Sequence, residues 1–116
     1  MGCGYFIFNS MNLSELREAN IKRQKEWCPD HQPDLSFRGN ELGGECGEAQ
    51  NVIKKLERER HGWVGSRDTV EHLAEELADL IIVSDLIAMQ CGIDLSEAVK
   101  KKFNQTSEKV QLQTRL

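Results

Sequence analysis

An all-α bundle of four to five helices is the fold class this sequence predicts, and three observations predict it. Pairs that fit a helix-opening capping box recur at Asn12/Glu15, Asp68/Glu71 and Asp94/Glu97. Between them, apolar residues return at spacings of three and four, as a buried helix face requires. No segment of any length alternates with period two, the mark of a half-buried strand. With 116 residues, one helical domain over residues 12–116 is the natural division. Residues 1–11 differ in composition and read either as an extension upstream of a start at Met11 or as a short apolar arm that packs on a neighbour.

The first helix opens at Asn12 and carries Leu13, Leu16, Asn20 and Trp27 along one face. Pro29 turns Cys28 away from helical geometry and ends it. Residues 29–36 hold both prolines and read as a loop. A second helix runs from about Phe37 to Arg60, with Leu42, Ala49, Val52, Ile53 and Leu56 as its apolar stripe, and His61-Gly62 closes it. The third helix spans about Thr69 to Cys91 and stops at Gly92. Its first half is amphipathic through Val70, Leu73, Leu77 and Leu80, whereas its second half is apolar nearly all round and belongs at the centre. A fourth helix passes through Leu95, Ala98, Val99 and Phe103. Two wide apolar faces in so short a chain predict that a second subunit completes the core, in a dimer or a tetramer.

The net charge of −4 argues against a nucleic-acid groove, which carries a basic excess. Apolar runs such as Leu80–Val83 fall far short of the ~18 residues of a membrane span. Cys3, Cys28, Cys46 and Cys91 are scattered, with no paired metal spacing, and read as reduced thiols of a cytoplasmic protein.

The acidic residues of the second and third helices stand where apolar ones belong. At about 100° per residue, Glu41, Glu45 and Glu48 fall within about 60° of one another, on a stripe that Val52 and Leu56 continue. Glu76 and Asp79 likewise share a stripe with Val83 and Leu86, and Glu75 lies about 40° from Asp79. Ionised carboxylates in an apolar setting must be paired, protonated or bound to a cation. Lys54 and Lys55 point elsewhere, so a divalent ion is the economical partner. Hard oxygen donors without Cys or His favour Mg²⁺, or Mn²⁺, over zinc. A di-iron bundle would need Glu-x-x-His on two helices, and Thr69, not Glu, precedes His72 at that spacing.

The stretch from Glu45 to Glu48 (ECGE), a spacer, and that from Glu76 to Asp79 (ELAD) resemble the E-x-x-E…E-x-x-D signature of the MazG-like, all-α NTP pyrophosphohydrolases. The likeness covers about residues 12–112. It includes RGNELGGECGEA from Arg38, EELADL from Glu75, GIDLSEA from Gly92 and KFNQTSEK from Lys102. Gly44 departs from it, standing where many members carry a further Glu, so that a ligand or base is either missing or supplied by Glu41. The resemblance implies paired subunits whose helices build the core and often the site. It implies cleavage of a nucleoside triphosphate to the monophosphate and pyrophosphate, with Glu45, Glu48, Glu76 and Asp79 holding Mg²⁺. Glu41 or Glu75 would take the proton of the attacking water.

Lys102 and Lys109 match the family's phosphate-contacting stretch, and Asn104 its hydrogen bond to the nucleotide. Trp27, Phe37, Arg38 and Asn40 flank the acid helix and are expected at the base pocket. Trp63, in a Gly-rich loop, reads as a lid or a subunit contact. The expected activity is house-cleaning hydrolysis of a dNTP, with a pyrimidine such as dCTP as the favoured substrate. Its rivals are a helical regulator that binds metal or nucleotide without hydrolysis and a phosphoribosyl-ATP pyrophosphohydrolase.

Overall fold

The computed structural model describes residues 10–116, and the greater part of the proposed N-terminal arm lies outside them. Four α-helices follow one another, α1 (Leu13–Trp27), α2 (Leu35–Arg60), α3 (Val70–Gln90) and α4 (Leu95–Lys109), with no strand among the described residues. Each begins at a side-chain cap that satisfies an otherwise orphaned backbone N–H. Asn12 accepts from the Glu15 amide at 2.8 Å and Asp94 from that of Glu97 at 3.1 Å, as the sequence predicts.

Two helix starts differ from expectation. α2 begins two residues early, at Leu35, because Asp34 caps the Phe37 amide at 2.8 Å. The Asp68/Glu71 box does not form. Thr69 is the cap of α3 instead, its hydroxyl accepting from the His72 amide at 3.1 Å. The shift frees the Asp68 carboxylate for other partners, the His72 ring and Lys55.

The loop between α2 and α3 is held by Arg58, which donates to the Ser66 carbonyl at 2.8 Å. Gly65 sits there at φ +134°, and a Cβ on it would meet the Arg58 side chain at 2.8 Å, so the loop closes only over glycine. α2 and α3 form the most intimate pair, α1 packs on α3, and α4 rests on α1. Ala49, Val52, Val83, Leu86 and Ala88 are the buried apolar residues of this arrangement. The apolar half of α3 is central, as predicted, but not wholly covered: Ile81 is 50% exposed. No helix among the described residues is long and apolar enough to cross a membrane.

Polar anchors take a large share of the interior. Asp85, fully buried on α3, accepts from Arg17 Nε at 3.1 Å and from Asn20 Nδ2 at 2.9 Å, while Arg17 also donates to the Ile93 carbonyl at 2.7 Å. This network fixes α1 against α3 and against the start of α4. Asp85→Ala leaves Asn20 and Arg17 without their acceptor and is expected to lower stability by about 3 kcal/mol. Urea unfolding measures the loss; a value under about 1 kcal/mol, the range of an exposed pair, would show that the network is dispensable.

Candidate metal centre and adjoining cavity

Tight packing of α2 on α3 turns the two acidic stripes toward each other. Glu45, Glu76 and Asp79 each present an oxygen, and the three lie within 4.8 Å of one another. Glu48 is more exposed but adjoins the group, its carboxyl within hydrogen-bonding reach of both Glu45 and Glu76. The four motif acids therefore converge. One oxygen of Glu45 and one of Glu76, Oε2 in both, are buried with no hydrogen-bond partner.

Such crowding penalises ionisation. Burial, then the charges of Asp79 and Glu48, the close approach of the Glu48 carboxyl and the charge of Glu76 push the Glu45 carboxyl up to about 7. Glu76 is raised by the close approach of the Glu48 carboxyl, by burial and by the Glu48 charge, against the lowering influence of His72. A divalent cation would offset these repulsions and the cost of burial together. Four carboxylates, two of them with an orphaned oxygen, offer the hard donors that Mg²⁺ or Mn²⁺ takes, so the residues present fit such an ion.

The remaining oxygen of Glu76, Oε1, is 3.0 Å from Nε2 of His72, whose Nδ1 lies 2.8 Å from Oδ1 of Asp68. Asp68 also accepts the Thr69 amide at 2.8 Å and faces Lys55 Nζ at 3.9 Å. The Thr69 amide, then His72 and Lys55, hold the Asp68 carboxyl below its ordinary value, and Asp68 in turn raises His72, helped by Glu76.

A cavity of about 510 Å³ adjoins the acids, with Glu45 and Asp79 in its wall. Trp27, Phe37 and Arg38 line it, and Val83 and Leu86 supply apolar surface. Trp27 and Phe37 stay 70% and 54% exposed, with the guanidinium of Arg23 5.9 Å from the Trp27 ring centroid and that of Arg38 5.8 Å from the Phe37 ring centroid. Arg38 is buried and held at both ends of its guanidinium, by Gln24 Oε1 and by Glu41 Oε1, each at 2.7 Å. Glu41 borders the cavity with its carboxylate in that ion pair. Glu75 is exposed, and its charge is not among those that raise Glu45 or Glu76.

Four predicted substrate residues are not brought to the cavity within one chain. Asn40 is exposed and absent from its lining, and so are Lys102 and Lys109, on α4. Asn104 instead binds the last residue, accepting from the Leu116 amide at 2.8 Å and donating to its carbonyl at 3.4 Å. Trp63 stacks on His61 with ring centroids 4.5 Å apart and does not line the cavity.

Sequence reasoning missed Gln24, Asp68 and His72. The signal for the last two was present: positions 68, 72 and 76 repeat at i, i+4 and i+8, which puts all three on one face of a helix. A comparison with protein-family models, with curated proteins and with solved structures finds no match to this chain.

Proposed function

We propose that this chain is a Mg²⁺-dependent nucleoside triphosphate pyrophosphohydrolase of MazG-like type, acting on a deoxynucleotide. The observation that carries the reading is the meeting of buried, unpartnered carboxylate oxygens from two helices with a cavity lined in part by aromatic rings. A cation held by Glu45, Glu48, Glu76 and Asp79 would offset the triphosphate's charge, polarise phosphoryl oxygens and lower the pKa of coordinated water. The aromatic faces of Trp27 and Phe37 suit a nucleobase, and Arg23, 5.9 Å from the Trp27 ring centroid, adds a cation at the cavity wall. Glu41 borders the cavity and Glu75 does not. With Oε1 held by Arg38, Glu41 keeps Oε2 to accept a proton from attacking water.

The proposal includes a second copy of the chain. The Cα radius of gyration is 17.9 Å, against roughly 13 Å for a single compact domain of this length. Leu77 and Ile81 on α3, with Val99 and Phe103 on α4, remain more than 40% exposed. A partner that covers these surfaces also supplies a route by which Lys102 and Lys109 reach a triphosphate.

A second reading, binding of metal or nucleotide without hydrolysis, is favoured by one observation: Glu41, the carboxylate best placed as base, is already ion-paired. One experiment separates the two and tests the assembly. The purified protein is incubated with Mg²⁺ and each dNTP in turn, with phosphoribosyl-ATP added to the panel, while sedimentation reports its mass. Monophosphate plus pyrophosphate from a dimer or tetramer is the expected result, with a pyrimidine such as dCTP turned over fastest. Binding with no product would select the second reading. A monomer at micromolar concentration would remove the second copy from the account.

A further inference from the structure

Resting on the metal-site reading above, we infer that His72 is a positioning residue that makes Glu76 a one-oxygen ligand and so tunes the site toward small divalent cations. The geometry is a chain of contacts that starts at Asp68, just ahead of the Thr69 cap, and continues on one face of α3. Asp68 Oδ1 lies 2.8 Å from Nδ1 of His72, and His72 Nε2 lies 3.0 Å from Glu76 Oε1. Asp68 is itself fixed by the Thr69 amide at 2.8 Å and by Lys55 at 3.9 Å.

With a carboxylate oxygen at each ring nitrogen, the imidazole is restrained and orients Oε1 of Glu76. The oxygen left over is Oε2, which is buried and has no hydrogen-bond partner. Glu76 thus has one oxygen to give a cation, in a direction set by the His72 contact. Partners of this kind orient a ligating group, and their loss typically costs about 10- to 100-fold in metal affinity. The constraint also selects. Mg²⁺ and Mn²⁺ accept single oxygens in near-octahedral order, whereas Ca²⁺ takes more ligands and often both oxygens of one carboxylate. A Glu76 released from His72 regains the two-oxygen mode.

The test compares wild type, His72→Leu and His72→Gln by calorimetric titration with Mn²⁺ and, separately, with Ca²⁺. Circular dichroism and urea unfolding of the metal-free proteins show that each variant folds. Glutamine four residues before a carboxylate can donate to it, so His72→Gln serves as the conservative replacement. Wild type is expected to bind Mn²⁺ well above Ca²⁺. His72→Leu should bind Mn²⁺ about 10- to 100-fold more weakly, with Ca²⁺ affected less, and His72→Gln should recover most of the loss. Equal Mn²⁺ affinity in wild type and His72→Leu would overturn the role of His72 while leaving the metal site standing. An equal loss for both ions with no recovery by glutamine would overturn it too. Wild type that binds no Mn²⁺ would overturn the metal reading itself.

Discussion

Glu45→Gln is expected to raise the thermal midpoint of the metal-free protein at pH 8 while reducing Mg²⁺-dependent turnover by at least about 10- to 100-fold. The two effects have one cause. Glu45 lies among Glu48, Glu76 and Asp79 with its Oε2 buried and unpartnered, and its carboxyl is pushed up to about 7 chiefly by burial. At pH 8 it is therefore mostly ionised in a place that resists ionisation. Glutamine keeps the shape, removes the charge, and supplies an amide that can donate to the neighbouring carboxylates. Removing a buried polar group ordinarily costs stability because its partner is left unsatisfied. Here the partner is another negative charge, so the sign reverses. Differential scanning of the metal-free proteins measures the midpoint, and product formation measures turnover. A lower midpoint in Glu45→Gln would mean that the acids already satisfy one another without a cation.

The second large effect is on pH dependence. Metal-free protein is expected to lose stability steadily as pH rises from about 5 to 8. Folded Glu45 keeps its proton up to about 7, whereas its ordinary value is 4.5. Between those values the folded state binds more protons than the unfolded one, so stability is full below the lower value and is lost as pH climbs through the higher. Glu76 and His72 are also raised on folding and add to the same slope. Asp68 is lowered, and its contribution is lost only in stronger acid, below this window. Saturating Mg²⁺ binds the ionised carboxylates of the folded state and should flatten or reverse the fall. Midpoints recorded at half-unit intervals, with chelator and then with Mg²⁺, give the two curves. A metal-free curve that rises across this range would contradict the assigned environment.

The helices and the inward acids were legible because both depend on local pattern. Caps at Asn12 and Asp94 and the 3.6-residue period need only neighbours in sequence. Which helix faces which is a different question. The burial of Asp85 depends on Arg17 and Asn20, more than sixty positions away. In the sequence alone Asp85 looks like a polar break in an apolar run. Arg38 lines the cavity, and its clamp by Gln24 depends on the end of α1 meeting the start of α2 across the proline loop. The cap of α3 was misplaced by one residue because Asp68 and Thr69 are both good caps, and the contest is decided by what else Asp68 can hold. Lys102, Asn104 and Lys109 stand away from the cavity because α4 rests on α1, and a residue's phase on its own helix does not say which helix it will face.

Titrating Mn²⁺ into wild-type protein at pH 7, in buffers of differing ionisation enthalpy, asks the acids directly what they are for. A cation that displaces the Glu45 proton should give saturable binding whose heat varies with the buffer, and the buffer dependence should fade at pH 8.5, where that carboxyl is already ionised. Heats no larger than dilution, and the same for wild type and Glu45→Gln, would contradict a cation site between α2 and α3.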